Sequence, residues 1–251
     1  MHSFKHWAFV ALASAVSLGF TLPAGLTAQT GDGFLFRPPT VTVTLHAGYA
    51  VANAGSEIFD DVTDRLTLRR SDFDAPLVGV VLAVPVSSRV DIAASIFYAG
   101  SETRSEFRDW VDTDDLPIEQ ITQLSRTAFT ISAKGYLRER GRRVSRLAWI
   151  PNRWSPYVGV GGGVMAYRFE QDGDFVDFET LDIFPASFID DGAAATIHGL
   201  AGVDIVVTPR TVLTVQGRYV WARSPMGNDF VDFNDVDLSG FQASIGFGWS
   251  L

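Results

Sequence analysis

The last eleven residues alternate without a break: Phe241, Ala243, Ile245, Phe247, Trp249 and Leu251 are apolar, whereas Gln242, Ser244, Gly246, Gly248 and Ser250 are small or polar. A period of two makes a strand with one apolar and one polar face. Strands of soluble sandwiches usually run five or six residues. An eleven-residue alternation is instead the length of a tilted strand that crosses a bilayer.

The same alternation recurs upstream. Val41, Val43, Leu45, Ala47, Tyr49 and Val51 oppose Thr42, Thr44 and His46; Val90, Ile92, Ala94, Ile96 and Tyr98 oppose Asp91 and Ser95. Phe129, Ile131, Ala133 and Leu137 oppose Arg126, Thr130, Ser132 and Lys134. Ile197, Ala201, Val203 and Ile205 oppose His198 and Asp204, and Leu213, Val215, Tyr219 and Trp221 oppose Thr214, Gln216 and Arg218. The runs 75–86 and 157–169 are apolar on both faces, so their phase stays open. Together these segments predict eight strands. Their connections alternate in length: Val86–Arg89 and Thr208–Arg210 are short, whereas 53–74, 101–120, 170–193 and 223–238 are long and polar. Short turns on one side and long loops on the other are expected of a transmembrane barrel. A soluble eight-stranded barrel would turn its apolar residues inward. The charges on the minority faces, of both signs, suit a polar interior better.

Residues 1–28 have the layout of a cleaved signal peptide, with Lys5 first, an apolar run from Trp7 to Phe20, and Leu26-Thr27-Ala28 before Gln29. The barrel domain is then 29–251. With no cysteine, the chain has no disulfide framework, thiolate metal site or thiol nucleophile. Its formal charge of −9 argues against nucleic acid as a partner. That charge is uneven: the four long connections hold 25 acidic and 6 basic residues, whereas Arg138–Ser155 carries six arginines against Glu139.

With this terminal strand and alternation of loops, the chain resembles the small eight-stranded outer-membrane barrels of the OmpA/OmpW-like superfamily, from Val41 to Leu251. The resemblance implies a location in the outer membrane of a Gram-negative envelope, contact with outer-membrane lipid and lipopolysaccharide, and no cofactor. It also implies that Phe241, Ile245, Phe247, Trp249 and Leu251 form the signal read by the barrel-assembly machinery. Leu251 departs from the usual terminal aromatic.

Three sets of residues are candidates for function. An internal charge network in the lumen would use Asp91, Arg126, Lys134, Arg168, Asp204 and Arg218. The segments 174–183 and 229–238 echo each other, and Asp174, Asp177, Asp229 and Asp232 would offer carboxylates to a divalent cation. The competing reading makes these segments β-ribbons with packed Phe and solvated Asp. His46 and His198 stand on polar faces outside any motif that links them to a nucleophile, so no catalytic site is expected. The expected role is structural or surface-interacting, non-enzymatic, with acidic loops outside. A narrow, porin-like channel for small solutes, hydrophobic ones included, is the alternative.

Overall fold

The structure, a computed structural model, describes residues 33–227, 230 and 233–251. The expected signal segment therefore lies outside the described residues. The strands are β1 (Thr42–Ala52), β2 (Ala75–Pro85), β3 (Val90–Val111), β4 (Pro117–Tyr136), the short β5 (Gly141–Ser145) and β6 (Ala148–Pro151), β7 (Trp154–Val176), β8 (Ile183–Thr208), β9 (Thr211–Ser224), the two-residue β10 (Val236–Asp237) and β11 (Gly240–Ser250). Eight of them form a closed antiparallel ring in the order β1-β2-β3-β4-β7-β8-β9-β11, and β11 pairs back onto β1 from Thr42↔Ser250 to Ala52↔Gly240. β5 and β6 form a separate hairpin, and β10 adds two residues to β9.

Closure leaves two surfaces. Leu45, Val80, Ile96, Ile131, Val160, Ile197, Val215 and Ile245 are all exposed on the outer one. Their immediate neighbours along each strand, among them His46, Val81, Phe97, Ser132, His198, Gln216 and Ser244, are buried inside. A belt of exposed Val, Ile, Leu and Phe all round a closed sheet is the outside of a transmembrane barrel, because such a surface is stable only against hydrocarbon. Aromatic side chains edge the belt: Tyr49, Tyr98, Trp221 and Phe241 toward one end, Trp154, Phe247 and Trp249 toward the other. The structure also sets the phase of the two doubly apolar runs. In β2, Val78, Val80, Leu82 and Val84 face out while Leu77 and Val81 face in; in β7, Tyr157, Met165, Tyr167 and Phe169 face in.

Two of the long connections are much shorter than their polarity implies. β3 and β4 run on to a turn at 112–116, and β7 and β8 to a turn at 177–182, so both hairpins rise well above the belt. Polar residues on both faces hide such an extension from a periodicity argument, because a strand in water needs no apolar stripe. The connection 53–74 holds the helix α1 (Glu57–Arg65) and a 3-10 turn at Arg70–Phe73. Ile58, Phe59 and Val62 lie on one face of α1 and are buried with Leu66, Leu68 and Phe73. They pack on Leu124, Ala128, Met165, Phe169, Val220 and Phe230 at the upper mouth of the ring. The rings of Phe59 and Phe73 are 4.7 Å apart, and Phe59 to Phe169 is 6.1 Å, both edge-on. The helix is thus a lid held by its apolar face.

An arginine at Ile131 tests the outer belt. Ile131→Arg should cost about 2–4 kcal/mol in refolded, lipid-embedded protein if that position lies near the bilayer midplane. Urea unfolding from vesicles measures this. A change within ~0.5 kcal/mol, as for an ordinary surface substitution, would contradict a lipid-facing belt.

Candidate functional site

Charged, aromatic and hydroxyl side chains converge in the interior of the ring, and its lower end is closed by an ion pair. Asp91 enters from β3 and receives Arg140 Nη1 at 3.1 Å, with 4% of the Asp91 side chain exposed. Arg140 also donates to the Ser87 carbonyl at 2.9 Å and lies over the Tyr136 ring, 5.2 Å from its centroid. Tyr136 donates toward both Asp91 at 3.2 Å and Asp204 at 2.8 Å. Asp204 accepts in addition from Thr214 at 2.7 Å. Two carboxylates are therefore bridged by one phenol and balanced by one guanidinium, which is how a buried charge becomes tolerable. A small cavity of about 70 Å³ remains beside this cluster, bordered also by Thr44, Lys134 and Ser155.

Two other buried lumen cations lie against aromatic faces. Lys134 Nζ is 4.8 Å from the Tyr157 centroid, and the Arg218 guanidinium is 4.5 Å from that of Phe97. Such contacts stabilise a desolvated cation by about 2 kcal/mol. Tyr157 in turn donates to Gln216 at 3.0 Å. Arg126 reaches the Phe73 carbonyl at 3.5 Å, which links the wall to the lid.

Each interior histidine sits opposite a glycine. His198 is the cross-strand partner of Gly161 and His46 that of Gly246. A Cβ at Gly161 would lie 2.7 Å from the His198 ring, and one at Gly246 would lie 2.8 Å from that of His46. The glycines make room for the rings in a narrow ring of strands. Ser132 Oγ and His198 Nε2 share a hydrogen bond at 2.9 Å, as do Ser244 Oγ and His46 Nδ1 at 3.1 Å. Neither pair has a carboxylate on the second ring nitrogen: His198 Nδ1 and His46 Nε2 have no hydrogen-bond partner among the described residues. Serine and histidine are adjacent, but the orienting acid of a triad is missing from this arrangement.

The expected network is placed as follows. Asp91, Arg126, Lys134 and Arg218 are buried inside, and Asp204 joins Asp91 through Tyr136. Arg168 is a correction: it stands on the outer face of β7, half exposed, and pairs with Glu170 at 3.0 Å. Its neighbours Tyr167 and Phe169 take the inward positions, which follows from the period once β7 is phased. Arg140, which sequence places in a basic turn, supplies the salt bridge to Asp91, the one ion pair of the inward-facing members of this set among the described residues. Only tertiary folding of the β5–β6 segment under the barrel brings it there.

Of the candidate cation ligands, Asp174 is exposed on the β7–β8 ribbon. Asp177 Oδ1 accepts the backbone N–H groups of Glu179 at 2.8 Å and Thr180 at 3.2 Å, forming the ribbon's turn. Those two donors hold its carboxyl below the usual carboxylate range. Phe175 packs edge-on against Phe188 at 4.7 Å. Asp229 and Asp232 lie outside the described residues. No group of three or more His, Asp or Glu positioned for a metal occurs among the described residues. Phe241, Ile245, Phe247 and Trp249 share the exposed face of β11, and Leu251, just past its end, is exposed too.

No protein-family profile matches the sequence, and no curated protein sequence does. Among solved structures, the outer membrane protein OprG from Pseudomonas aeruginosa aligns with 12% identity and a TM-score of 0.47, over 86% of this chain and 99% of its own. Neisserial surface protein A aligns with 12% identity and a TM-score of 0.45, over 84% and 97%. The outer membrane protease OmpT from Escherichia coli aligns with 11% identity and a TM-score of 0.36, over 88% and 99%. At these identities and scores neither a family nor an activity passes to this chain. The barrel is established by its own strand pairing and outer belt.

The bridging phenol and the histidine pockets are separately testable. Tyr136→Phe leaves two carboxylates short of a donor and should cost about 1–3 kcal/mol in urea unfolding. Gly161→Val should cost a similar ~1–3 kcal/mol by overfilling the lumen, whereas Gly162→Val, on the outer face, should cost less. Equal effects at both glycines would contradict the inward placement of His198.

Proposed function

We propose that this is a non-enzymatic integral outer-membrane protein with a sealed lumen, one that stabilises the membrane and presents an acidic surface outward. The observation that carries this reading is closure from both ends: the α1 lid with Phe59 and Phe73 above, and Arg140, Asp91 and Tyr136 below. Between them, Lys134, Tyr157, Arg218, Phe97 and the two histidines occupy the interior. Eight strands enclose a space that side chains can fill, and here large side chains fill it. The end with the lid and the long hairpins bears the excess of Asp and Glu; the end with the short turns bears the arginines. That polarity supports an outward-facing upper end, with both described termini on the periplasmic side. The exposed strand β11 supports recognition by the barrel-assembly machinery, and the acidic rim is suited to cation-bridged contact with lipopolysaccharide.

A second reading draws on one observation. Between the lid and the tall hairpins lies a cleft of about 180 Å³ walled by Ile58, Phe107, Phe175, Phe188, Phe230 and Phe233. A small hydrophobic solute suits such a cleft, and passage would then need the lid to move.

Planar-bilayer recording separates the two. The refolded protein should give no discrete conductance steps, and a variant lacking residues 55–72 should also conduct poorly because the lower ion pair remains. Adding Asp91→Ala and Arg140→Ala to that deletion should produce small steps. Steady conductance from the unaltered protein would contradict a sealed lumen.

A further inference from the structure

The basic lower end forms a groove whose walls differ in chemistry. On one side is the segment Phe36–Thr40, on a second the base of β2 and its turn, Val84–Ser88, and on the third the β5–β6 hairpin with Arg143, Arg146 and Trp149. The space between them is about 920 Å³. It is a built feature: Leu35 and Trp149 exchange backbone hydrogen bonds at 2.8 and 2.7 Å, so the first described segment is pinned to the hairpin. Arg140 anchors the hairpin to the barrel through Asp91 and the Ser87 carbonyl.

The groove joins charge to hydrocarbon. Val84 and Val86 are exposed at 41% and 61% and continue the lipid-facing belt down into it. Arg37, Arg143 and Arg146 are exposed and take part in no salt bridge among the described residues. Phe36 and Trp149 also line the groove, and a Trp ring suits the boundary between head groups and hydrocarbon. Glu139 is the lone acid lining the groove. Guanidinium groups bind phosphate oxygens in pairs, and basic pockets at the membrane boundary take anionic head groups.

We infer that this groove holds one anionic phospholipid of the periplasmic leaflet, its phosphate on Arg37, Arg143 and Arg146 and its acyl chains along Val84 and Val86. The inference rests on the transmembrane reading, and goes beyond general attraction of a basic surface to lipid by placing the contact on one side of the hairpin. Arg142 alternates with Arg143 along β5 and does not line the groove, and neither does Arg153.

Native mass spectrometry of the refolded protein, released from micelles containing equal phosphatidylglycerol and phosphatidylcholine, tests this. One phosphatidylglycerol should be retained preferentially. Each surface arginine favours an anionic lipid by about fivefold, so the Arg37→Gln, Arg143→Gln, Arg146→Gln variant should lose on the order of a hundredfold in that preference. The Arg142→Gln, Arg153→Gln variant should keep it. Equal loss in both variants, or no preference in the unaltered protein, would each overturn the inference. Heat-modifiable gel mobility, recorded on the same samples, keeps the two readings distinguishable: a heat-modifiable protein without lipid preference refutes the groove alone, whereas unchanged mobility refutes the barrel.

Discussion

Inside hydrocarbon a backbone N–H or C=O has no water to bind, so every strand must find a neighbour on both edges. In this chain that requirement is met by the pairing of β1 with β11, which joins the first and last barrel strands over eleven residue pairs. The remaining features depend on this seam. Once the sheet is closed, the period of two divides every strand into a lipid face and a lumen face, and eight strands give a lumen too narrow to stay open around large side chains. An unpaired β1 or β11 would expose a row of polar groups to lipid at several kcal/mol each.

The narrow lumen then decides how its charges are held. Ions removed from water need partners, and the interior carries more basic than acidic groups near its middle. Asp91 and Asp204 serve the lower end, where Tyr136 and Arg140 engage them. Lys134 and Arg218 are instead set on Tyr157 and Phe97. An aromatic face offers a cation a partial negative charge without adding another ion to be desolvated. The same side chains that satisfy the charges also fill the space, so polar satisfaction and closure of the lumen are one structural fact.

Much of this was legible in the sequence because lipid imposes a strict rule on one face. The apolar sets led by Leu45, Ile96, Ile131, Ile197, Val215 and Ile245 can be read off directly, and they face outward. β2 and β7 could not be phased, since Leu77, Val81, Met165 and Phe169 pack against the lid and neighbouring wall inside. The face on which Arg168 lies depends on that phase and has no signal of its own in the sequence. The lid carried a readable signal, Ile58, Phe59, Val62 and Leu66 at helical spacing, inside a segment whose acids make it look like plain loop. The place of Arg140 had no local signal: a salt bridge to Asp91 across 49 residues depends on where a hairpin folds.

The chain has no cysteine, so single cysteines can be introduced along β3 and spin-labelled without a background. The central claim is a lipid-facing belt around a closed interior. In lipid vesicles, labels at Ile92, Ala94 and Ile96 should be accessible to oxygen and shielded from a water-soluble nickel chelate, while labels at Ala93, Ser95 and Phe97 should be shielded from both. Nickel accessibility at the first set would contradict the lipid-facing belt, and nickel accessibility at the second would contradict the closed lumen.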